Sequence, residues 1–158
     1  MKQIAFAFFA LILIGPLAAC GFTPLYANSA SGGQIHVEQI DGRSGHALRK
    51  ALIQQLAPGL PGLDGPATLT VEMSESLKRL TFKPDEAASR TDVIARVDYV
   101  LVLDGDAISG KVMVETTFNV PDEPFADIAA QTNASERAMS LMARRVVDDM
   151  RINLANKK

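Results

Sequence analysis

Cys20 is the one cysteine of the 158-residue chain, and it follows Leu17-Ala18-Ala19. A thiol in that setting can accept a diacylglyceryl group, and the small side chains before it fit the cleft of a signal peptidase. Leu-Ala-Ala-Cys matches a bacterial lipobox. The residues upstream agree: Lys2 supplies a positive charge, Ile4 to Ile14 are an uncharged run, and Gly15-Pro16 breaks it. Eleven residues are too few to span a bilayer, which takes about 20, but they suit the apolar region of a secretory signal. Residues 1–19 are therefore expected to be a lipoprotein signal peptide, and Cys20 the lipidated first residue of the mature chain. Each buried methylene of the acyl chains contributes about 0.8 kcal/mol to membrane anchoring. Gly21 stands where an aspartate is commonly associated with inner-membrane retention, so the expected location is the outer membrane, facing the periplasm.

A second group with chemical potential is cationic: Lys78, Arg79, Lys83, Arg90 and Arg96. Splayed to one side, these side chains could bind a polyanionic lipid such as a phosphorylated glycolipid. Asp85, Glu86 and Asp92 dilute the charge, and a solvated hairpin of mixed charge is the other reading. His36 and His46 read as surface histidines, and Asp104-Gly105-Asp106 reads as a turn on backbone grounds. Met139, Met142 and Met150 read as core. The sequence has no G-x-S-x-G, P-loop, G-x-G-x-x-G or H-E-x-x-H pattern, so it gives no reason to expect catalysis or a cofactor. One cysteine cannot close an internal disulfide, and no Cys/His cluster offers a metal site. With 16 basic and 18 acidic residues, a net charge of −2 argues against holding nucleic acid by bulk charge.

These groups need a scaffold, and composition divides the chain before periodicity does. Fifteen of the first 19 residues are apolar, so the 47% apolar content overstates the hydrophobicity of the remainder. Residues 20–34 read as a lipidated N-terminal segment and tether, glycine- and serine-rich in its second half. Residues 35–155 read as the domain and 156–158 as a polar tail. Ile35–Ile40 alternates as a short strand. Ser44 reads as the N-cap of a helix carrying Leu48, Ala51, Leu52 and Leu56 on one face. Thr68–Met73 is a strand with Leu69, Val71 and Met73 inward, and a change of phase at Ser74–Ser76 predicts a bulge or a strand end. Thr91–Leu103 is a strand with Val93 through Leu103 inward, and a turn within Asp104–Gly110 leads to Lys111–Val120. Pro121 to Thr132 reads as an acidic loop. Asn133 with Glu136 resembles a capping box that opens a last helix bearing Met139, Met142, Val146, Met150 and Leu154. The order β-α-β-β-β-α predicts an α+β two-layer sandwich, in which two helices cover one face of a four-stranded mixed sheet.

The lipobox, the run Cys20-Gly21-Phe22-Thr23-Pro24-Leu25-Tyr26, and this element order together resemble the LptE family of lipopolysaccharide-assembly lipoproteins. The likeness is to its alphaproteobacterial branch and covers nearly the whole chain. It implies a noncatalytic protein that plugs the lumen of the LptD β-barrel, assists its assembly, and binds lipopolysaccharide during insertion into the outer leaflet. It also implies that Phe22, Pro24, Leu25 and Tyr26 pack against the barrel wall near the anchor. The loop Pro121–Thr132 offers no lysine for lipid A phosphates, which leaves Lys78, Arg79, Lys83, Arg90 and Arg96 as the candidate set. The alternative function is a free-standing periplasmic lipoprotein that binds an anionic lipid without a barrel partner.

Overall fold

The computed structural model describes residues 33–63, 65–80, 90–121 and 123–157. Along the chain lie β1 (Ile35–Val37), α1 (Gly42–Leu56), β2 (Ala67–Leu80), β3 (Arg90–Leu103), β4 (Asp106–Asn119) and α2 (Pro124–Asn156). The strands form one sheet in the order β1-β2-β3-β4, with β1 parallel to β2 and the other pairs antiparallel. Both helices contribute to a single apolar core on one face of the sheet, which is the α+β architecture expected from the sequence.

Strand alternation builds the sheet side of that core. Leu69 and Val71 of β2, Val93 to Leu101 at alternate positions of β3, and Ile108, Val114 and Phe118 of β4 are all buried. Leu48, Leu52 and Leu56 of α1 recur every four residues and are buried, as are Met139, Met142, Val146, Met150 and Leu154 of α2. Asp104 and Gly105 both have positive φ, +44° and +88°, and make the two-residue turn that joins β3 to β4. This is the backbone geometry that matches the twist of paired strands. At the open edge of β4, Arg145 Nη1 of α2 donates 3.0 Å to the carbonyl of Met113.

Four local expectations are corrected. Neither a bulge nor a strand end occurs at Ser74–Ser76: β2 pairs with β3 without a break from Ala67↔Leu103 to Leu80↔Arg90. The inward parity simply passes from apolar residues to Glu75. Ser44 is not an N-cap, because α1 begins at Gly42 after Asp41, and the Ser44 hydroxyl is used elsewhere. Asn133 does not open the last helix. Pro124 occupies its first turn, where a missing N–H costs nothing. Residues 124–132 are therefore helix rather than loop, and α2 reaches 33 residues, or about 50 Å at 1.5 Å per residue. That length matches the 14-residue strands beneath it, each about 46 Å long. β1 is also shorter than read, ending at Val37.

Candidate functional site

Adjacent residues of a strand face opposite sides, and this divides the cationic group. Lys78 of β2 and Arg90 and Arg96 of β3 lie on the sheet face away from the helices. Arg79 lies on the helix side, where its Nη2 is 3.6 Å from Asp127 Oδ2 of α2. The structure thus brings three of the five candidates to one face and sets Arg79 on the other. Lys83, Cys20, Phe22, Pro24, Leu25 and Tyr26 lie outside the described residues.

The three outer cations do not converge on one point. Lys78 is directly across from Asp92, and Arg96 sits between Ser74 and Met113, four β2 residues away. Arg90 Nε is 3.5 Å from Asp92 Oδ1, and its Nη2 donates 3.2 Å to Thr117 Oγ1. Thr117 Oγ1 in turn donates 2.8 Å to Asp92 Oδ1. Asp92 is only 6% exposed, so its charge is held by these neighbours rather than by bulk water. Arg96 borders a shallow depression of about 440 Å³ shared with Glu72, Asp98 and Lys111. Such an array can meet a polyanion as a set of separate contacts along a strip.

A feature the sequence reading missed lies between the helices. Glu75, at the inward parity of β2, accepts hydrogen bonds from Ser44 of α1 at Oε2 and from Ser135 of α2 at Oε1. It forms the floor of a polar groove of about 550 Å³ whose walls include Arg43, His46 and Lys50 of α1 and Glu136 of α2. A carboxylate at the inward position after Leu69, Val71 and Met73 was the available signal. Reading it as a break in phase concealed it. His36 is exposed on β1, and His46 lines the groove.

A second polar cluster ties α2 to the sheet. Tyr99 Oη donates 2.6 Å to Asp149 Oδ2, and Asn153 Nδ2 donates 3.1 Å to each of those two oxygens. Burial, then the bond to Asp149, pushes the Tyr99 phenol well above its ordinary pKa. The cluster holds a neutral phenol firmly and is structural. Among the described residues no three His, Cys, Asp or Glu side chains gather as metal ligands would, and no helix is long and apolar enough to cross a membrane.

The LptE family model, described as lipopolysaccharide-assembly, matches residues 33–154, from before β1 to near the end of α2. The chain belongs to the LptE family. Membership gives it a role in lipopolysaccharide assembly. Among solved structures it is similar to a lipoprotein of Caulobacter crescentus CB15, at 31% identity and a TM-score of 0.63, covering 78% of this chain and 92% of that one. It shares the fold of rare lipoprotein B from Shewanella oneidensis, at 13% identity and a TM-score of 0.58, with coverage of 78% and 98%. It shares the fold also of a minor lipoprotein from Acinetobacter baumannii, at 12% identity and a TM-score of 0.55, with coverage of 78% and 94%. No curated protein matches it significantly. The LptE match spans both the basic strip and the interhelical groove.

Proposed function

We propose that this LptE-family chain is a noncatalytic lipoprotein of the outer membrane that plugs an LptD-type β-barrel. It assists the assembly of that barrel and acts during lipopolysaccharide insertion into the outer leaflet. The observation that carries this reading is the family match across residues 33–154. The lipobox supports the anchor: residues 1–19 are removed, and Cys20 carries diacylglycerol and further acyl chains such as palmitate. The lumen of such a barrel is polar, and a plug needs a compact, mixed-charge exterior more than a large apolar one. The exposed sheet face has that character, with Glu72, Asp98, Lys111 and Glu115 alongside the cations.

The dimensions of the domain support the placement. The chain enters β1 at Gln34, whose carbonyl accepts from Ala67 N at 2.9 Å, so the anchored end is the Ala67 end of the sheet. Leu80 and Arg90 close the opposite end, about 46 Å away along the strands. A bilayer with its headgroups measures about 40–45 Å. An upright plug anchored in the inner leaflet therefore carries Lys78 and Arg90 toward the level of outer-leaflet phosphates, with Arg79 close by on the other face, while Arg96, opposite Ser74, lies about midway along the strands. Phe22, Pro24, Leu25 and Tyr26 then contact the barrel wall beside the anchor. Photocrosslinking from positions 22–26 in intact cells tests this: the expected product is a crosslink to an outer-membrane barrel. Exclusive crosslinks to lipid or to soluble periplasmic proteins would contradict it.

A further inference from the structure

The exposed face of the sheet is divided along its length. Reading across β2, β3 and β4 from the anchored end, the first two rows are Thr68, Val102, Ala107 and Thr70, Val100, Ser109. None of the six is charged. The third row, Glu72, Asp98 and Lys111, closes the patch with an ion pair of 3.1 Å between Lys111 and Asp98, and the rows beyond carry the remaining charges. Val100 and Val102 are 40% and 43% exposed, unlike their buried neighbours Tyr99 and Leu101. β-Branched residues in the centre of a three-strand surface, with no described element over them, leave apolar area facing solvent.

The chain outside the described residues arrives beside this patch. Gly33 N bonds to Leu63 O at 3.0 Å, and Gln34 O accepts from Ala67 N, so the preceding segment leaves from the corner next to Thr68. Residues 21–32 contain no charged side chain, and Phe22, Pro24, Leu25 and Tyr26 are apolar. Tyr26 lies seven residue steps before Gly33, a stretch that can span up to about 24 Å. Crossing from β1 to β4 takes only about 14 Å at 4.8 Å per strand. Pro24 fixes its own φ and biases Thr23 to an extended backbone. In a polyproline-II conformation, with three residues per turn, Phe22 and Leu25 share one side and Thr23 and Tyr26 another.

We infer that the Phe22–Tyr26 segment of the mature chain docks on its own sheet, with Phe22 and Leu25 covering Val100 and Val102. The uncharged patch is the seat of the lipidated segment, and it fixes the short path between the anchor and the domain. Tyr26 and Thr23 then face outward, so of the residues proposed above for the barrel wall Tyr26 keeps that contact while Phe22 and Leu25 face the sheet. The inference does not require the barrel.

The test uses the full lipidated chain in membranes, where acylation consumes the Cys20 thiol. Leu25→Cys is combined with Val102→Cys, and for comparison with Glu115→Cys on the charged part of the same face. After oxidation with copper phenanthroline, peptide mass spectrometry reads the disulfides. The expected result is an intramolecular 25–102 disulfide at least several-fold more abundant than 25–115. Because the chain has no tryptophan, Phe22→Trp gives a second reading. Its emission should shift to the red when Val100 and Val102 are both changed to lysine. Equal yields of the two disulfides would overturn the inference. So would linkage of the thiol introduced at position 102 to a second copy or to a barrel, or an emission unaffected by the lysines. An intramolecular disulfide that forms without any barrel would leave this inference standing while the plug reading failed.

Discussion

Tyr99 in the middle of β3 and Asp149 in the last third of α2 are 50 residues apart in sequence and joined by a hydrogen bond of 2.6 Å. Their contact pins the long helix to the strand that forms the centre of the core, and Asn153 one helical turn on bonds to both. Tyr99→Phe removes the hydroxyl, takes the shorter of two hydrogen bonds from the half-buried Asp149 and leaves it with Asn153 as donor. Loss of such a partner costs about 1–3 kcal/mol. Thermal unfolding of the variant beside the parent checks this, and an unchanged midpoint would contradict it.

The same pair gives a pH dependence. The folded Tyr99 phenol titrates above its ordinary value of 10.0, chiefly because burial disfavours the phenolate. A raised folded pKa contributes stability that is fully present below the unfolded pKa and is lost as pH rises through the folded one. The parent should therefore lose stability above about pH 10 faster than Tyr99→Phe does, so the gap between them narrows. Denaturant midpoints at pH 8, 10 and 11 make the comparison.

Gly110 of β4 permits this arrangement. A Cβ there would overlap Asp149 Oδ2 and come within 2.6 Å of the Tyr99 ring and hydroxyl. Gly110→Ala should destabilise the domain by about 1–3 kcal/mol, the range for overpacking. Combined with Tyr99→Phe, its cost should shrink, since the two changes act on one contact. Additive costs in a double-mutant cycle would contradict the shared cause.

Glu75 is the other tie between layers, accepting from α1 and α2 at once. Glu75→Ala strands two serine hydroxyls and should raise amide exchange in α1, the shorter helix, more than in β3. Glu75→Gln keeps one acceptor and should show a smaller rise. Equal exchange in all three proteins would contradict the role.

Lys78→Glu, Arg90→Glu and Arg96→Glu together should reduce lipopolysaccharide binding by the full chain at least tenfold and weaken its salt dependence. Arg79→Glu, facing the helix layer, should cost less binding and more stability. A fluorescent lipopolysaccharide titration with a melting curve for each variant separates the two effects.

Much of the fold could be read directly. Leu48, Leu52 and Leu56, and Met139 to Leu154, declare helix faces by spacing alone, and alternation from Val93 to Leu103 declares a strand. What failed was punctuation. Pro124 is as suited to a helix's first turn as to a loop, and only the strand beneath it shows why the helix begins so early. Glu75 interrupts an apolar parity because two helices meet above it, a fact of tertiary structure that local spacing does not carry. Lys78 and Arg79 are a different case. Two neighbours on one strand cannot share a face, so their separation follows from the sequence once both fall within β2. The lipid anchor proposed at Cys20 rests on the sequence alone.

The central claim is that the LptE-family chain works as the lipid-anchored plug of an outer-membrane barrel. The most direct measurement is purification of the tagged full chain from detergent-solubilised membranes, paired with assay of surface lipopolysaccharide after depletion. An LptD-type barrel should co-purify at one-to-one stoichiometry, and depletion should lower both the assembled barrel and the surface lipopolysaccharide. A chain recovered without any barrel, with surface lipopolysaccharide unchanged on depletion, would contradict it.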